Sequence, residues 1–226
     1  MKELLSIGIL PVVLTLSAYQ VGVQIQKKSR LSLCNPILIA VLAVLSLTGM
    51  ERASYQEGMQ LLSWLMTPAT VCLAIPMYEQ IQILRKNLKG ILVGIAAGTA
   101  GCLTMLLGSM LLLRFDRTLV ISLLPQGITT AIGMPLAELY GGIPSIAALG
   151  IIFTGIFGNV LGHLFCKWFG ITHEIAKGVA FGTGAHVIGT AKASEISPLA
   201  GAVSSLSLVV AGLMTAALFP VMIHFL

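Results

Sequence analysis

Gly90-Ile-Leu-Val-Gly-Ile-Ala-Ala-Gly-Thr-Ala-Gly-Cys-Leu-Thr-Met-Leu-Leu-Gly-Ser-Met-Leu-Leu-Leu113 contains no Asp, Glu, Lys or Arg. A helix rises about 1.5 Å per residue and about 20 apolar residues cross the hydrocarbon of a bilayer, so this stretch is long enough to span by itself. Charge-free runs also cover residues 4–26, 31–50, 58–78, 118–137, 139–166 and 196–226, with a shorter one at 178–191. Inside lipid every backbone N–H and C=O must find a partner within the protein, and the runs lack the alternating ten-residue pattern of a barrel, so they read as helices. The predicted fold is all-α: a polytopic helical membrane protein with about seven to eight hydrophobic segments, forming a single integral membrane domain over residues 1–226.

Composition excludes the other classes. Charged residues make up 9% of the 226 and hydrophobic ones 57%, too little polar surface to cover a soluble globule of this size. The hydropathy is too high for a disordered chain. The 13 basic residues are scattered and aromatic residues are 6%, which gives no footprint for nucleic acid. The first run begins close to Met1 without a small-residue cleavage site followed by a polar region, and reads as a retained helix rather than a removed signal. Lys27, Lys28 and Arg30, then Arg85, Lys86 and Lys89, mark two connections as cytoplasmic and place the N-terminus outside. Cys34, Cys72, Cys102 and Cys166 stand singly in apolar surroundings, the pattern of packing residues rather than of disulfides or a zinc site.

Three segments depart from a plain hydrophobic rod: residues 67–79, 124–138 and 182–195. Each mixes Pro or Gly with Thr and ends at an acidic residue, Glu79, Glu138 or Glu195. Pro68, Pro76, Pro125, Pro135 and Pro144 all fall in or beside these segments. Proline removes a helical donor and glycine permits angles other residues resist, so discontinuous or re-entrant helices are expected here. Such breaks survive in lipid where protein or a water-filled cavity satisfies the freed groups. They serve either as packing kinks or as the discontinuous helices of a transporter's binding site, and the residue pattern alone leaves both open.

On the binding reading, a half-helix opening after Pro125, Gln126 and Gly127 presents free N–H groups and a positive dipole end, with Thr129 and Thr130 as further donors, which suits a carboxylate. The segment from Gly184, with His186, Gly189 and Thr190, supplies a second such element. His186 is a candidate for substrate contact or proton relay, with a packing histidine as the alternative. His163, one turn after Asn159, is expected to hydrogen-bond between helices. Glu79, Glu138, Lys192 and Glu195 are candidates for coupling or gating, against the plainer roles of interface anchors and of a Lys192–Glu195 pair. Gly94 with Gly98 and Gly158 with Gly162 read as close-packing faces. Three repeats of a broken segment followed by a Gly/Ala-rich span point to internal duplication. His173-Glu174 has no second His at metalloprotease spacing, and no nucleophile and base stand at workable spacing, so neither a metal site, a cofactor nor an enzyme is expected.

Asn35-Pro36, Pro68 through Pro76-Met-Tyr78-Glu79-Gln80, Leu124-Pro125 with Thr129-Thr130, Gly141-Gly-Ile-Pro144, Gly184-Ala-His186 with Gly189-Thr190-Ala191 and Glu195, and Gly201-Ala-Val-Ser-Ser-Leu-Ser-Leu together resemble the LrgB/CidB family over almost the whole chain. These are bacterial membrane proteins, also called antiholin-like, related to plastid glycolate/glycerate translocators. One departure stands out: where family members commonly read Pro-Lys-Ser-Val-Thr-x-Pro, this chain has Pro125-Gln-Gly-Ile-Thr-Thr-Ala131.

The resemblance implies one of two activities. The first is a multi-pass transporter, or transporter subunit, for small monocarboxylates such as pyruvate, glycolate or glycerate, with its site between residues 124–138 and 182–195. The second is an antiholin-like modulator of murein hydrolase export and cell lysis, acting with a small LrgA/CidA-like membrane partner. Either places the chain in the cytoplasmic membrane, within the lipid bilayer, as a homo-oligomer.

Overall fold

Charge-free runs decide where helices can form, and the Pro, Gly and hydroxyl residues within them decide where helices stop. The computed structural model describes residues 9–29, 36–46, 60, 64, 65, 68 and 71–226, and among these there is no strand. The chain divides into two units, Met1–Leu73 and Ala74–Leu226.

In the first unit α1 (Ile9–Ser29) lies beside α2 (Pro36–Ser46). Pro36 opens α2, where its missing N–H costs nothing. A Cβ on Gly22 would fall 2.8 Å from Pro36 Cα, so glycine is what lets the two helices touch here. Cys34, Asn35 and most of the 67–79 segment's first turn lie outside the described residues.

The second unit runs α3 (Ala74–Glu79), α4 (Ile81–Leu112), α5 (Arg117–Leu123), a 3-10 turn (Leu124–Gly127), α6 (Thr130–Leu139), α7 (Pro144–Trp168), α8 (Glu174–Ile196) and α9 (Pro198–Ile223). Among the described residues three helices, α4, α7 and α9, are long and apolar enough to cross a membrane. Charge-free runs therefore do not convert one for one into spans. The 118–137 run is divided among α5, the 3-10 turn and α6, and the 178–191 run lies inside α8. Helix α1 has the length, but its second half carries Gln20, Gln24, Gln26, Lys27 and Lys28.

Helix α8 does not run straight. Its backbone leaves helical angles at His186 (φ 41°, ψ −133°). A straight helix would hold Glu174 and Ser197 about 35 Å apart, yet Ser197 Oγ donates to Glu174 Oε2 at 2.9 Å. Phe181 and Ala193 likewise share one cluster with Cys166 and Ala200. The two halves, residues 174–185 and 187–196, thus lie antiparallel, folded back at His186.

The stretch around Pro125 folds back in the same sense. After the 3-10 turn Ile128 is extended (φ −119°, ψ −177°) and Thr129 starts α6. Along α6, Gly133 lies against Pro125, its Cβ position 3.3 Å from the Pro125 carbonyl oxygen. At the far end Ile143 N donates to Ser122 Oγ at 2.7 Å, after a turn in which Gly141 takes φ 86°. Each fold-back is followed by a long helix, α7 or α9.

Small residues set the spacing around the second hairpin. Gly158 and Gly162 of α7 receive Ala185 and Phe181 of α8, while Gly178 and Gly182 of α8 lie on Ala200 and Ser204 of α9. Gly94 and Gly98 of α4 face Val179 and Thr183 at 3.4 and 3.3 Å. A larger residue at most of these positions would part the helices that position the two turns.

Candidate functional site

The two fold-back points come together. The Cβ position of Gly127 lies 3.8 Å from the Thr183 carbonyl oxygen and 3.6 Å from Cys102 Sγ. Here a small cleft is bounded by Thr99 and Cys102 of α4, Gly127 and Ile128, Thr183 of α8 and Thr215 of α9. It has room for about one water molecule.

Two groups are chemically unfinished: Thr129, which follows the wall residue Ile128 in the chain but does not itself line the cleft, and Thr99, which does. Thr129 is the N-cap of α6, but its side chain makes no capping bond. The first amides of the helix, those of Thr130 and Ala131, have no carbonyl within the helix to bond, while Ile132 N and Gly133 N bond the Thr129 carbonyl. A hydroxyl and two N–H groups are thus presented together at the positive end of a helix dipole. In the cleft wall Thr99 is 4% exposed, and its Oγ1 has no hydrogen-bond partner among the described residues. A buried hydroxyl left unmade costs about 1–3 kcal/mol.

The groups expected on α8 are used differently. His186 is 3% exposed and its Nε2 donates to the Ile151 carbonyl of α7 at 2.8 Å, which puts the ring proton on Nε2. The ring packs on Gly155, whose Cβ position is 2.5 Å from Cε1. Thr190 Oγ1 donates to the His186 carbonyl at 2.9 Å, and Ser204 Oγ lies 2.9 Å from it. Gly189 lies on the Phe181 carbonyl, while Gly184 is exposed. A non-glycine residue at positive φ stores roughly 1–3 kcal/mol of strain, and these bonds hold it in place. His186, Gly189 and Thr190 therefore hold the fold-back, and none of them lines the cleft.

Pro125 is buried beneath the first turn, and Gln126 leans on Gly150 of α7 with its Oε1 3.5 Å from that Cβ position. Both turns thus rest on glycines of α7, Gly150 under the first and Gly155 under the second.

The charged candidates lie elsewhere. Glu79 and Glu138 are exposed, and Lys192 Nζ pairs with Glu195 Oε2 at 2.7 Å on the surface. His163 is exposed and makes no bond to another described residue; it is Asn159 whose Nδ2 bridges to the Ile188 carbonyl at 2.9 Å. That corrects the helix-bridging role expected of His163. The described cysteines, Cys72, Cys102 and Cys166, are free thiols; Cys166 is buried, while Cys72 and Cys102 are exposed, Cys102 with its Sγ against Gly127.

Sequence reasoning missed Thr99, Thr183 and Thr215, and read Cys102 only as a packing residue. Their signal was weak: a lone hydroxyl or thiol in an apolar helix usually bonds its own preceding turn, as Thr104 does to the Ala100 carbonyl.

No solved structure matches the chain. The LrgB-like family matches residues 15–225, a range that includes both hairpins and all three long apolar helices. With nearly its whole length matched, the chain belongs to the LrgB-like family of membrane proteins.

Proposed function

We propose that this protein is a secondary carrier, or the carrier subunit, for small monocarboxylates of the pyruvate, glycolate and glycerate kind. The observation that carries the reading is the uncapped start of α6: Thr129 without a capping bond, followed by two unpaired amides, directly after the cleft-lining Gly127 and Ile128. A carboxylate supplies the charge and lone pairs this arrangement lacks. A hydroxyl on the same small acid finds an acceptor in the Thr183 carbonyl, which faces Gly127. No side-chain charge is spent in the bilayer, as expected where half-helix ends bind an anion.

Pro125, Gln126 and Gly127 shape the first turn, with Thr129 and Thr130 as donors. His186, Gly189 and Thr190 act through the second turn by fixing its position, and Gly184 leaves its outer side clear. Transport proceeds by movement of the hairpins against the long helices, which opens the cleft to one side at a time. The chain works as a multi-pass protein of the cytoplasmic membrane, homo-oligomeric and alongside a small LrgA/CidA-like partner, with no enzymatic role and no cofactor.

Purified protein in proteoliposomes, with and without the small partner, tests this with labelled pyruvate, glycolate and lactate under an imposed proton gradient. Saturable uptake of at least one is expected. Absence of uptake in both preparations would remove the carrier reading and leave the lysis-modulating one.

A further inference from the structure

A groove of about 870 Å³ runs between α4 and the first half of α8, basic at one end and narrowing toward Thr183 at the other. At its mouth stand Arg85, Lys86 and Lys89 of α4 with His173 of α8, and no acidic residue lines it. Glu174, the nearest carboxylate on α8, accepts from Ser197 Oγ at 2.9 Å. Gly90, Gly94 and Gly98 share one face of α4 at four-residue spacing. A Cβ at Gly90 would meet nothing within 4 Å, at Gly94 Val179 at 3.4 Å, and at Gly98 Thr183 Oγ1 at 3.3 Å. The two helices therefore approach steadily, from an open basic end to contact at Thr183, over about 12 Å.

Thr183 is shared: it closes the groove and also borders the hairpin cleft. Behind it lies the buried Thr99 hydroxyl that no described group satisfies. That hydroxyl is an independent pointer to a ligand, since neither the glycines nor the basic residues require it.

We infer that this groove is the vestibule through which a small anion enters from the Arg85 side, and that Thr99 is the first polar group it meets past Thr183. The substrate class rests on the carrier reading above; the path and its sign rest on the groove. Cations at the mouth of a low-dielectric cleft concentrate anions and raise their rate of arrival. By the positive-inside rule this side is the cytoplasmic one, so the vestibule serves outward loading.

The test is thiol accessibility. In protein with Cys34, Cys72, Cys102 and Cys166 replaced by serine, Thr99→Cys is exposed from the Arg85 side to impermeant thiosulfonates of equal size and opposite charge, in vesicles of neutral lipid. After division by each reagent's rate with a free small thiol, the anionic reagent is expected to react at least tenfold faster than the cationic one. Arg85→Gln, Lys86→Gln and Lys89→Gln together bring the ratio toward one. Gly90→Leu, whose Cβ would meet nothing within 4 Å, slows both reagents tenfold or more, and millimolar pyruvate or glycolate slows labelling. Thr183→Cys serves as a second target if Thr99→Cys does not fold.

Charge-blind labelling, no labelling at either position, or indifference to Gly90→Leu overturns the vestibule. The carrier reading fails separately: anion-selective labelling without uptake by the wild type removes transport and keeps the path, and uptake with charge-blind labelling does the reverse.

Discussion

Replacing Gly155 by alanine puts a methyl group where the His186 ring sits. The new Cβ would lie 2.5 Å from Cε1, 2.9 Å from Nε2 and 2.8 Å from Ile188 Cδ1. Ordinary carbon contacts begin near 3.5 Å, so the ring must retreat by roughly an ångström. The bond from Nε2 to the Ile151 carbonyl, 2.8 Å in the wild type, does not survive that shift. Overpacking a tight site costs about 1–3 kcal/mol, and leaving a buried donor and acceptor unpaired costs about 1–3 kcal/mol more. Alanine's better helix propensity offsets at most about 1 kcal/mol. The balance is a loss of about 1–5 kcal/mol, concentrated at the one residue that reverses α8.

Gly90→Ala is the matched control, since its Cβ meets nothing within 4 Å. Thermal unfolding of both variants in detergent, followed by loss of the monodisperse peak, reads the difference. At about 2–4 °C per kcal/mol for a chain of this size, Gly155→Ala should unfold several degrees below Gly90→Ala. Because such unfolding is commonly irreversible, the order at one scan rate is the quantity to compare. Equal unfolding temperatures would refute the argument that His186 is locked against α7.

His186→Gly should be more heat-stable than His186→Ala in the same assay, because both lose the ring's bond but only glycine adopts φ 41° without strain. Thr99→Val keeps the shape and removes the unpartnered hydroxyl, so unfolding temperature should hold or rise while uptake falls at least tenfold; a drop in both would mark Thr99 as structural. Lys192→Ala and Glu195→Ala break a surface pair worth less than about 1 kcal/mol, and uptake within twofold of wild type is expected from each; loss of transport would return this pair to a coupling role.

The helical fold was legible because it follows from a quantity that sequence displays directly, the length of charge-free stretches. What those stretches become was less so. Residues 118–137 have the length of a span, yet Pro125 and the extended Ile128 divide them, and nothing in hydropathy separates a kinked span from a hairpin. The turn at His186 was foreshadowed by Gly184 and Gly189, but the residue that takes positive φ is the histidine between them, held by Ile151, thirty-five positions away. Partners at that distance are invisible to local pattern. The same holds for Thr99: its hydroxyl is distinctive only because nothing meets it, a property of the assembled helices. Thr129 was readable because an N-cap and its free amides are local features.

The central claim is that the start of α6 binds a carboxylate. It is tested most directly by equilibrium binding of glycolate and pyruvate to purified protein, comparing wild type with Thr129→Val and with the exposed control Glu138→Gln. Saturable binding by wild type and Glu138→Gln, weakened at least tenfold in Thr129→Val, is the expected result. Equal affinity in all three, or no binding by the wild type, would contradict it.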